Sequence, residues 1–141
     1  MTTAEQTNMG LPSVDEINRI IGEWDGAKII NETDYNFMVY RWENREQVDC
    51  YLSQFRYHES WDWLMPVVEK IESVHIEAHG RFGVYICSNN CTIQGSKFNS
   101  EKRSDAYYFD IYSVTKIHAT WLAVKEFIIW HNAYITQNTH Q

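Results

Sequence analysis

The densest grouping of chemically capable residues in this sequence is His75-x3-His79 followed by Cys87-x3-Cys91. Two imidazoles and two thiols are ligand types that zinc accepts. The spacing opposes a shared ion. Residues four apart in an extended strand are separated by about 13 Å, too far for one metal. A turn at Asn89-Asn90 could close the cysteine pair, but nothing before Gly80 bends His75 back towards His79. No metal is assigned. Cys87 or Cys91, with His75, His79 or His118 as base, could form a nucleophile pair. No signature of a thiol enzyme surrounds them, and packed thiols are the simpler reading. In YHESWDWLMP, residues 57–66, His58 and Asp62 form the best acid/base pair. Helix capping and ordinary surface polarity are the simpler reading of both. The sequence has no phosphate-binding loop, dinucleotide fingerprint or G-x-S-x-G. No catalytic residue and no cofactor are assigned, and the expectation is a protein that is not an enzyme.

A different set of residues suits an anion. Lys97, Lys102 and Arg103 lie in the polar stretch 94–105, with Tyr107 and Tyr108 just after it. Arg41, Arg45 and Arg56 lie earlier in the chain. Guanidinium groups hold phosphate through paired hydrogen bonds, and aromatic rings stack on bases. The ligand-binding set read from the sequence is Arg41, Arg56, His58, Trp61, Lys97, Lys102, Arg103 and Tyr107. Twelve basic against nineteen acidic residues leave a net charge of -7. That balance opposes long nucleic acid and anionic membrane surfaces. It leaves room for a compact, nucleotide-like ligand.

The elements that must position these residues follow from periodicity. Residues 1–12 read as a loose arm, and 13–141 as a single α+β domain. Ser13 and Glu16 have capping-box spacing, and Val14, Ile17, Ile20, Ile21 and Trp24 form a helical stripe that stops at Asp25-Gly26. Residues 37–42 alternate as a strand with bulk on both faces, so that strand should be central or doubly covered. A second helix spans about 60–72. Pro66 should split it into a tight first turn and a regular helix. Short strands are expected near 74–79, 82–88 and 107–112. Ser113 should cap a long last helix ending near Tyr134. That helix is apolar almost all round, which calls for cover on more than one side. The sheet supplies one side, and a second copy of the chain is the expected cover for the other. The architecture read from these elements is an α+β sandwich, three helices with a mostly antiparallel sheet of about five strands.

Cys50, Cys87 and Cys91 make an odd number, unlike a secreted disulfide framework. The N-terminal residues do not resemble a signal peptide. No apolar run approaches the roughly 20 residues of a membrane helix. A cytoplasmic location is expected.

Two blocks, SWDWLMPVVEKIES and TKIHATWLAVKEFIIWHN, carry a resemblance. They resemble small phage and prophage proteins of gut Bacteroidetes, in the family called the phage alpha-beta-alpha sandwich domain. The resemblance covers residues 57–73 and 113–132, and more loosely the segment between. It implies an α/β sandwich and a phage setting, with the host cytoplasm as location. It implies no catalytic residues. The functional expectation is a non-catalytic, oligomeric accessory protein that sequesters a small nucleotide-like signal of host defence. The rival expectation is an assembly protein that binds only protein.

Overall fold

Ser13 starts the first helix as its spacing predicts. Its side chain accepts the Glu16 N–H at 3.2 Å, and helix α1 runs Val14–Trp24. The computed structural model describes residues 13–31, 39–42, 49–102 and 105–139, the last by its backbone only. The expected arm, Arg45 and Arg103 lie outside the described residues. The protein is of the α+β class; the described residues form three α-helices and two antiparallel sheets of three and four strands. It divides into two compact units, Met1–Arg56 and Tyr57–Gln141.

In the first unit, α1 is followed by β1 (Ala27–Asn31), β2 (Val39–Trp42) and β3 (Cys50–Tyr51). β2 is the central strand, in keeping with bulk on both its faces. Tyr40 and Trp42 are buried on Phe55, with ring centroids 5.2 and 4.9 Å away. Ile17 and Ile21 are buried on α1. Gly22 permits close packing, since a Cβ there would lie 2.6 Å from the Phe55 ring. Buried Asn18 is satisfied by donating to the Phe55 carbonyl at 3.2 Å.

In the second unit, α2 (Trp61–Glu72) is followed by β4 (His75–Ile76), β5 (Gly80–Cys87), β6 (Asn90–Gly95), β7 (Tyr108–Tyr112) and α3 (Lys116–Thr139). Helix α2 is continuous through Pro66. The split expected at the proline does not occur. Pro66 cannot donate to the Asp62 carbonyl, but both residues are exposed, so water can replace the missing donor. Leu64, Val67, Val68 and Ile71 form the buried face of α2. Ser60 precedes the helix without a side-chain cap bond.

The strands lie in the order β4-β5-β6-β7, all antiparallel. β6 was not anticipated. Its buried residues Cys91, Ile93 and Gly95 alternate with half-buried Asn90, Thr92 and Gln94. The two-residue turn Ser88-Asn89 joins it to β5 with Cys87 opposite Asn90. One sheet face carries Phe82, Cys91, Ile93 and Phe109 and meets the helices. Phe82 packs on Phe127 of α3 at 5.0 Å. The other face is open.

Helix α3 begins two residues later than expected and runs further. Thr115 provides the cap, its hydroxyl accepting the His118 N–H at 3.2 Å. Ser113 instead bonds the His118 ring through its hydroxyl, and its N–H donates to the Asn89 carbonyl at 2.9 Å. Ala119, Trp121, Ala123, Val124, Phe127 and Ile128 are buried within the single chain. Much of the cover anticipated from a second copy is therefore already present. Among the described residues, no helix is long and apolar enough to cross a membrane.

Candidate functional site

The register fixes what the open face of the second sheet presents. Tyr85, Thr92 and Asp110 stand in one row across β5, β6 and β7. Cys87, Asn90 and Tyr112 form the next row, and Gly83, Gln94 and Tyr108 the row on the other side. Directly paired residues share a face, so these side chains point the same way. Tyr85, Tyr108 and Tyr112 are 57, 45 and 70% exposed. They are large, ring-bearing and wet.

Asp110 is the fixed point of this face. Its Oδ1 accepts from the Asn90 amide at 2.5 Å and from the Thr92 hydroxyl at 2.7 Å. The Asn90 amide also donates to the Ile111 carbonyl at 3.0 Å, which holds the amide in place. These donors favour the carboxylate and hold its pKa below the usual value.

At the Gln94–Tyr108 end, the chain leaves β6 in a tight loop. Asn99 organises it, its Oδ1 accepting the N–H groups of Glu101 at 2.9 Å and Lys102 at 3.2 Å. Phe98 folds back and stacks on Tyr108, centroids 4.4 Å apart and planes 18° from parallel. Gln94, Phe98, Asn99, Ser100 and Glu101 line an open depression of about 420 Å³. Its chemistry is amide, hydroxyl and aromatic, with one carboxylate.

The sequence-predicted ligand set is only partly assembled. Lys97 and Lys102 share the loop, but the Lys97 ammonium donates to the Glu77 carbonyl at 2.5 Å. Lys102 is exposed. Tyr107 is buried and does not face the loop. Its ring packs on Trp130 at 4.6 Å and Phe127 at 5.6 Å. Its hydroxyl is buried and finds no hydrogen-bond partner among the described residues, and burial pushes its pKa up. The exposed ring is its neighbour, Tyr108. His58 is half-buried, 5.9 Å from the Trp121 ring and 3.8 Å from the Glu59 carboxylate. Trp61 is half-buried at the start of α2, and Asp62 is exposed.

In the first unit, Arg41 is clamped by Asp49, Nε to Oδ1 at 2.8 Å and the second fork nitrogen to Oδ2 at 3.1 Å. That bond and charge raise the pKa of the guanidinium and lower that of the carboxylate. Arg56 is exposed at the end of the unit.

The residues considered for metal or thiol chemistry are held apart. Cys87 pairs with Asn90 on the open face, and Cys91 pairs with Ile86 on the helix-covered face. Burial pushes the Cys91 thiol up to about 11, far from the thiolate a ligand or nucleophile requires. His79 Nδ1 accepts the Tyr107 N–H at 2.8 Å. Among the described residues, no three His, Cys, Asp or Glu side chains gather as a metal site.

Sequence reading missed Phe98, Gln94, Asn99 and Asp110. The signal that could have found Gln94 is the alternation of Cys91, Ile93 and Gly95 with Asn90, Thr92 and Gln94; Phe98, Asn99 and Asp110 lie outside it. No protein-family model, no curated protein and no solved structure matches this chain.

Proposed function

We propose that the protein is a non-catalytic binding module whose small-ligand seat is the depression beside the Phe98–Tyr108 stack. The observation that supports this is the pairing of a flat aromatic surface with a rim of amide and hydroxyl groups. A planar heterocycle gains stacking energy from the rings, about 1–3 kcal/mol per base in known nucleic-acid sites. Its edge nitrogens and oxygens find partners on Gln94, Asn99 and Ser100. The ligand class is a nucleoside or small nucleotide. Lys102, next in the chain to the lining residue Glu101, is the cation that would meet a phosphate. In the phage setting implied by the resemblance, occupancy of this seat would sequester a nucleotide-like signal of host defence.

Calorimetric titration of the full chain tests this reading. The ligands are an uncharged nucleoside, cyclic mono- and dinucleotides and ADP-ribose. Binding of at least one, lost in Phe98→Ala, is the expected result. No heat with any of them, or binding unchanged in Phe98→Ala, overturns it.

A further inference from the structure

The open face holds a second feature, independent of the depression and its ligand. Asp110 stands between Tyr108 and Tyr112 on one strand, each two residues away and therefore about 7 Å off on the same face. Tyr85 lies in the same row on β5. One carboxylate oxygen of Asp110 is pinned by Asn90 and Thr92. Among the described residues, the other oxygen takes no hydrogen bond and faces water on an exposed residue.

Charge decides what fits there. Among the described residues, Asp110 is the one carboxylate that strands β5 to β7 present on this face. The one cation they present is Arg81, four residues along β5 from Tyr85. That is about 13 Å along the strand, beyond a Debye length of about 8 Å at physiological salt. The negative faces of the exposed Tyr85 and Tyr112 rings add to the field of the carboxylate. The whole chain carries -7. A phosphate or carboxylate ligand is repelled at this position. A guanidinium is attracted three times over. Its charge meets the carboxylate, its N–H groups meet the free oxygen, and its plane lies on tyrosine.

The geometry is a platform and not a cage. The tyrosines stand on the two strands that flank β6 instead of closing around one point. A free organic cation would be left half in water. A cation carried by a protein chain draws the rest of its affinity from contacts along the sheet. We propose that the Tyr85–Asp110–Tyr112 face docks a basic segment of a partner protein by taking an arginine side chain onto Asp110.

The test uses the full chain and a short peptide alternating arginine with serine. The control replaces each arginine by citrulline, which keeps shape and removes charge. Amide chemical-shift mapping and fluorescence anisotropy are the readouts. Expected is binding by the arginine peptide that weakens with added salt, with shifts centred on Tyr85, Asp110 and Tyr112. The citrulline peptide should not bind. Asp110→Asn should weaken the arginine peptide about tenfold, as for loss of a charged hydrogen bond. Tyr112→Ala removes a 70% exposed ring and leaves the core untouched, so it should weaken binding while keeping the melting temperature. Phe98→Ala should leave this binding intact, separating it from the small-ligand seat. Equal binding of both peptides, no loss in Asp110→Asn and Tyr112→Ala, or preference for single-stranded RNA over the arginine peptide would overturn the proposal.

Discussion

The main-chain N–H of Tyr107 donates to Nδ1 of His79 at 2.8 Å. The bond joins the turn after β4 to the residue before β7. It requires His79 neutral, with its proton on Nε2, because a protonated ring has no acceptor. The His79 ring also packs edge-on against Trp130, centroids 5.0 Å apart.

Burial lowers the pKa of His79 below 6.5, and burial does the same to His131, stacked on Phe127. The fold therefore favours both neutral forms. Below the unfolded value of 6.5 the unfolded chain takes up protons that the native chain resists. This contribution is complete above that value and is lost as pH falls through the lower native pKa. Urea midpoints should be flat between pH 7 and 8 and drop towards pH 5.5. The drop should be shallower in His79→Asn. Equal midpoints at pH 5.5 and 7.5 would remove this account.

The two faces of the β5–β6 hairpin give its cysteines different fates. Cys87 is exposed, while Cys91 is fully buried with its pKa raised to about 11. Iodoacetamide on the native protein should label Cys87 and spare Cys91 until denaturant is added. Mass spectrometry of tryptic peptides reads both sites. Native labelling of Cys91 at the rate of Cys87 would contradict the sheet register.

Ser88 sits in the turn at φ 51°, where a Cβ is strained. Glycine adopts this conformation without that cost. Ser88→Gly should raise stability by about 0.5–1 kcal/mol, as the strain released slightly exceeds the added entropy of the unfolded chain. Chemical denaturation of the two proteins side by side measures it. A lower midpoint in the glycine variant would be the contrary result.

Two serines that look alike in sequence should behave differently. Ser13 accepts the Glu16 N–H, whereas Ser60 makes no side-chain cap bond. Ser13→Ala should cost about 1 kcal/mol, and Ser60→Ala well under half of that. Thermal melts distinguish them, and equal losses would count against the capping geometry.

Local grammar was legible and pairing was not. Ser13, Glu16 and the stripe from Val14 to Trp24 located α1 because cap and period agree within one turn. β6 was hidden because its open face is polar. Asn90, Thr92 and Gln94 look like loop until a partner strand shows that they alternate with a buried set. Tyr107 and Tyr108 show the same limit. Neighbours on an extended chain face opposite ways, and only the register says which is wet. Arg41 looked available because its partner Asp49, eight residues away, comes opposite it only through the β2–β3 register, which the sequence does not show. Pro66 misled in the other direction. A missing donor is harmless on an exposed helix flank.

The shortest connection in the second sheet governs which chemistry the molecule shows to its surroundings. Inserting a single amino acid between Cys87 and Asn90 would slide one strand past the next by one step. Greasy Cys91 and Ile93 would swing outward, and the polar trio would be driven beneath the helices. Folding should thus tolerate changes of length between Gly95 and Tyr108 far better than at that hairpin tip.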